Sequence, residues 1–138
     1  MSQENYKTPD NWDELKNILD YISFCTPDFL RLPEDEKFYR LFRDLVPREI
    51  ALEIINQQIG DQEIVILKNN FPYTKVLDKL KNVTHYCLWS KKGKLDDSQI
   101  KQQVEKKFKD CTWCYSERKP GKKSVPEIWH CHVFVKND

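Results

Sequence analysis

The chain has 138 residues, 33% of them charged and 39% hydrophobic, with a net charge of +1. That length predicts one domain, 1–138, with its own core, and no apolar stretch is long enough to cross a bilayer as a helix. The near-neutral total hides a split: residues 1–67 hold 7 Lys/Arg against 14 Asp/Glu (net −7) and residues 68–138 hold 16 against 8 (net +8). An anionic ligand belongs on the basic half. A nucleic-acid partner is less favoured, because dedicated binders usually have a domain pI above about 9.

Residues 1–10 read as a polar lead without the apolar core of a signal peptide. Five cysteines, an odd number, predict reduced thiols in a cytoplasmic protein small enough to pass into the nucleus. Asp10 or Asn11 caps a helix starting near Trp12, with Leu15, Ile18, Leu19 and Ile22 on one face until Pro27. A second helix is predicted from Pro33, followed by acids, through Phe38, Leu41, Phe42 and Leu45. Pro47 opens a third, with Ile50, Ile54 and Ile55 inward and Gly60 beyond its end. The aromatics and leucines of this helical part, 1–60, read as core.

After Gly60 the period changes. Ile64 to Leu67 is a buried strand, and Thr74 to Asn82 a polar connector with room for one helical turn. Val83 to Ser90 is a second strand, followed by a turn at Lys91 to Leu95. Asp96 or Asp97 caps a lysine-faced helix through Ile100, Val104 and Phe108. Thr112 to Ser116 is a third strand, Lys119 to Lys123 a hairpin loop, and Glu127 to Lys136 a fourth strand. Helices followed by a meander crossed by one helix is an α+β pattern, with residues 61–138 forming the antiparallel sheet.

All three histidines fall in two of these strands. His130 and His132, two residues apart, share a face, whereas Cys131, Val133 and Val135 face the other way. Near neutral pH, imidazoles serve as bases, nucleophiles, metal ligands or phosphate donors. His85 and Cys87 also share a face, so a metal site between adjacent strands stays open. The Cys111-Thr112-Trp113-Cys114 spacing does not suit a zinc knuckle, since a strand places i and i+3 on opposite faces. No metal and no cofactor is expected.

Three segments carry a resemblance. Val65 to Pro72, Thr84 to Lys91 and Ile128-Trp129-His130-Cys131-His132-Val133-Phe134 are similar in order and spacing to the strands of the histidine-triad (HIT-like) superfamily, with Ile128 where the first triad histidine stands. Asn70-Phe71-Pro72-Tyr73, His85 to Lys91 and Ser124-Val125-Pro126-Glu127-Ile128-Trp129-His130-Cys131-His132-Val133 resemble the N-acetylglucosamine-induced protein family, small and largely uncharacterised eukaryotic proteins. The superfamily likeness implies N-terminal helices packed on a HIT-like sheet and a phosphorylated ligand, a nucleotide or sugar nucleotide. It implies His130 as nucleophile and His132 as phosphate binder, with His85 completing the catalytic set. Asn69, Asn70, Tyr73, Lys91, Ser124 and Trp129 fall at ligand-binding positions. The expected function is therefore a HIT-like nucleotidyl or phosphoryl hydrolase or transferase. The alternative is a non-catalytic module that recognises an anionic protein or nucleic acid. Oligomeric state is left open.

Overall fold

The computed structural model describes residues 7–123 and 125–137. Their order is α1 (Trp12–Asn17), α2 (Leu19–Ile22), α3 (Pro27–Leu30), α4 (Pro33–Leu45), α5 (Arg48–Ile59), β1 (Ile64–Lys68), β2 (Val83–Ser90), α6 (Asp97–Lys107), β3 (Thr112–Ser116) and β4 (Trp129–Lys136). The fold is α+β. Its four strands form an antiparallel sheet in the order β1-β2-β4-β3. The central pair sets Cys87 opposite His132 and Trp89 opposite His130.

Strand alternation gives the sheet two faces, each with a separate core. On one face Ile66, Leu88, Cys131, Val133 and Val135 pack against Ile100 and Val104 of α6. A reciprocal capping box between Asp96 and Gln99 starts that helix. The other face carries His85, Cys87, Trp89, His130, His132 and Phe134, and the N-terminal helices cover it. Leu15, Ile22, Phe29 and Leu30 pack with Cys114 and Phe134, while Ile59 packs with Cys87 and Trp89. Cys111 and Cys114 fall in different cores, as opposite-facing positions should.

Local details depart from the sequence reading. The first helix breaks at Ile18 (φ −106, ψ 11), just after Asn17, a weak helix former. Pro27 does more than stop a helix, because it opens α3. The 74–79 segment is a run of turns, and its Val76 is fully buried rather than part of a polar connector. On α5 it is Ile55 and Ile59 that face the sheet, whereas Ile50 and Ile54 are 46% and 39% exposed. Anchors at both ends set that helix's roll: Arg48 pairs with Glu127, and the Gly60 carbonyl accepts from Lys91 Nζ. On α4, likewise, Phe38, Leu41 and Leu45 face outward. Its inward side is instead Glu36, Tyr39 and Phe42.

Arg31 explains that choice. Its buried guanidinium donates to Glu36 at 3.1 Å and to the Phe71 carbonyl at 2.9 Å, and it lies 4.1 Å from the centre of the Tyr39 ring. Phe71 in turn is ringed by Phe38, Tyr39 and Phe42. One cation thus joins the start of α4 to the 69–73 segment beside the histidines. Arg31→Ala would leave Glu36 buried with only Arg40 to answer it. Urea denaturation should show a loss of about 3–5 kcal/mol, the usual consequence of breaking a buried pair.

Candidate functional site

His85 and His132 meet on the helix-covered face, and their hydrogen bonds define one protonation pattern. The backbone N–H of Tyr73 donates to His85 Nδ1 at 3.1 Å. A nitrogen that accepts carries no proton, so the neutral ring holds its proton on Nε2. That Nε2–H points to His132 Nδ1 at 2.9 Å. His132 must then be protonated on Nε2, which lies 3.0 Å from the Tyr73 hydroxyl. The chain of donors therefore runs one way, from the Tyr73 amide through both imidazoles to the Tyr73 phenol.

Asn69 closes the cluster. Its Oδ1 accepts the Phe71 N–H at 2.7 Å, which fixes the amide and turns the NH₂ toward Cys87 Sγ at 3.2 Å. The 3.3 Å approach of the same nitrogen to His85 Nε2 is then a contact between two donors.

Burial sets the electrostatics. His85 and Tyr73 are each 2% exposed and His132 is 7% exposed. Desolvation, with the nearby positive charge of Arg31, lowers the His85 pKa to about 3. His132 is held well below the ordinary imidazole range, first by burial and then by the positive charges of His85, His130, Arg118 and Arg31. Burial pushes the Cys87 thiol up to about 12 against the opposing Asn69 bond, and raises the Tyr73 phenol. The site is a set of neutral donors and acceptors.

Could it hold a metal? His85 Nε2, Cys87 Sγ and His132 Nδ1 lie within 4.8 Å of one another, close enough to share an ion. The hydrogen bonding does not suit one. With Nδ1 already accepting from Tyr73, His85 has no lone pair on Nε2 unless it becomes an imidazolate or gives up the amide. Cys87 would also have to lose a proton that burial holds tightly.

His130 sits apart from this relay. Its ring stacks on Trp89 at 4.3 Å between centroids and lies 5.5 Å from the His132 ring. Nδ1–H donates to the Ile128 carbonyl at 3.1 Å, and the Nε2 lone pair bonds to nothing among the described residues. Burial lowers the His130 pKa against the opposing carbonyl bond. The residue as a whole is 5% exposed.

Of the residues singled out in the sequence, the fold brings together His85, His132, Tyr73 and Asn69, with His130 adjacent. It does not bring in Asn70, which is exposed, nor Lys91, which is exposed and bonds the Gly60 carbonyl. Trp129 lies on the opposite face of the sheet and donates to Glu117. Ser124 lies outside the described residues. Arg118 is buried and donates to the Ile22 and Cys25 carbonyls at the end of α2. Cys87 was already placed on the face of His85, and Trp89 was findable in the same way, since it stands four residues from His85 on one strand. Nothing local marks Arg31. A cleft of about 500 Å³, whose lining includes Leu32, Asn69, Pro72, Thr74 and His85, opens beside the outer edge of the relay.

No family model and no curated protein matches the chain. Among solved structures, the crystal structure of HTC1 matches with a TM-score of 0.58 at 16% identity, over 94% of this chain and 86% of that one. At that identity the likeness shows a shared fold.

The unfolded chain binds a proton at His85 near pH 6.5, whereas the folded chain does so only near 3. Stability should therefore be level above about pH 6.5 and fall as pH drops below it. His85 alone should remove about 2 kcal/mol by pH 5. Denaturant titrations across that range measure the loss. Long-range ¹H–¹⁵N spectra at pH 7 should show the Nε2–H form for His85 and His132 and the Nδ1–H form for His130. A protonated Nδ1 on His85 would overturn the relay.

Proposed function

We propose that the chain binds a small phosphorylated ligand, a nucleotide or a sugar phosphate, in HIT-like fashion, and that His130 attacks its phosphorus. The observation that carries this reading is the state of His130. A backbone carbonyl holds Nδ1–H, the Trp89 ring fixes the plane, and a neutral Nε2 lone pair is left without a partner among the described residues. Those are the requirements of an imidazole nucleophile. Ile128, standing where the triad pattern has its first histidine, supplies the orienting group from its backbone.

The neighbours support an anion. Tyr73 accepts from His132 and stays protonated through burial, so the phenol adds no negative charge behind the ring. The Lys123 ammonium acts on His130 from one side, opposed by Glu117, the carboxylate it pairs with. In the step itself an Nε2–P bond forms as the P–O bond to the leaving group breaks. Water then cleaves the phosphorylated imidazole and restores the ring. His132 serves by orienting Tyr73, because both its nitrogens are already engaged.

A second reading is a non-catalytic module that takes an anionic protein or nucleic acid on its basic half. It is favoured by one fact: His85 and His132 spend all four ring nitrogens within the chain, under α1 to α5.

Calorimetry with mononucleotides, dinucleoside polyphosphates and sugar nucleotides separates the two. We expect one class to bind and be cleaved, His130→Ala to abolish cleavage while retaining binding, and His132→Ala to weaken binding as well. If no compound binds more tightly than about millimolar, a gain of roughly 4 kcal/mol, the ligand reading fails and the module reading stands.

A further inference from the structure

Helix α4 presents its apolar stripe to solvent. Phe38, Leu41 and Leu45 are 63%, 52% and 71% exposed, and Ile50 and Ile54 of α5 add 46% and 39%. Scattered exposed apolar residues are ordinary, but three in line on one helix, with two more on the next, are not. A 13-residue helix is marginal in water on its own, and the inward anchors of α4 are Glu36, Tyr39 and Phe42. Its best hydrophobic surface is left over.

The spacing and charges of that surface fit one occupant. We infer that α4 pairs with α4 of a second copy of this chain, antiparallel, about a two-fold axis passing beside Leu41. Phe38, Leu41 and Leu45 stand at i, i+3 and i+7, the spacing of an a/d seam. In the antiparallel pair Leu41 meets its own copy and Phe38 meets the partner's Leu45. Lys37 and Asp44, both exposed, lie two turns apart on the solvent flank of the stripe. Neither forms an ion pair within the chain among the described residues. The two-fold brings each Lys37 beside the partner's Asp44, so both pairs form at once. A parallel pair would instead place the two copies of this flank on opposite sides of the seam, where no Lys37–Asp44 pair can form. The other flank of α4, with Tyr39 and Phe42 around Phe71, is already occupied by the chain itself. The surface is thus self-complementary in shape and charge, as a closed two-fold contact requires. Ile50 and Ile54 extend the apolar surface onto α5.

Sedimentation of the full chain from micromolar to millimolar concentration tests this. Twice the monomer mass is expected, with a dimer constant that weakens at high salt. Leu41→Asp should give a monomer whose circular dichroism and thermal midpoint stay near those of the parent, since Leu41 is exposed. Lys37→Glu and Asp44→Lys should each weaken the dimer about tenfold, as two attractive pairs become repulsive. The double variant Lys37→Glu/Asp44→Lys should restore it, which a merely sticky surface would not do. A chain that stays monomeric throughout overturns the inference, and does so equally if the face then proves to hold anionic vesicles or a different protein. Failure of the double variant to recover the dimer overturns the antiparallel pairing.

Discussion

One hydrogen bond decides the chemistry of the histidine cluster: the Tyr73 amide on His85 Nδ1. A backbone N–H cannot be anything but a donor, so it settles the proton on His85, and His85 then settles the one on His132. Without that amide the two rings would be free to take either tautomer, and the ligand set with Cys87 would suit a metal. The amide itself is placed by tertiary structure. Arg31 holds the Phe71 carbonyl two residues before it, and Asn69 holds the Phe71 N–H. The helical half of the chain thereby governs protonation in the sheet half.

This explains why the N-terminal helices sit where they do. The face bearing the three histidines is also the one whose aromatic and apolar residues need covering, and burial and neutrality come together. Charged imidazoles there would oppose one another and the buried cations Arg31 and Arg118. The cover leaves His130 as the imidazole whose lone pair is unspent.

Much of the scaffold was legible in the sequence. The second and third strands fall where alternation and flanking turns placed them, and the Asp96 cap and the Gly60 stop lie where their chemistry requires. Strand parity put His130 with His132 and His85 with Cys87 on shared faces, but that His85 meets His132 is a finding of the folded chain. Side-chain direction on α4 and α5 was not legible. Each helix carries more than one apolar stripe, and the choice between them rests on contacts with Phe71 and Glu127, far away in sequence, and on Arg31, which is itself held by the Phe71 carbonyl. The closed state of His132 was equally invisible, because the group that engages it, Tyr73, belongs to a turn whose path only the folded chain reveals.

The sheet order also has a kinetic meaning. The relay joins residues 47 apart across the central pair of strands, β2 and β4, with α6 and β3 threaded between them. Closing so long a loop carries an entropic cost before any contact repays it. The elements that form by local contacts, such as α6 with its capping box, are able to appear early, whereas the histidine cluster exists only after the two middle strands have found each other. A newly made chain therefore passes through a stage at which its imidazoles are solvated, ionisable near neutral pH and open to any metal present. The finished fold then withdraws His85 and His132 from all three conditions at once.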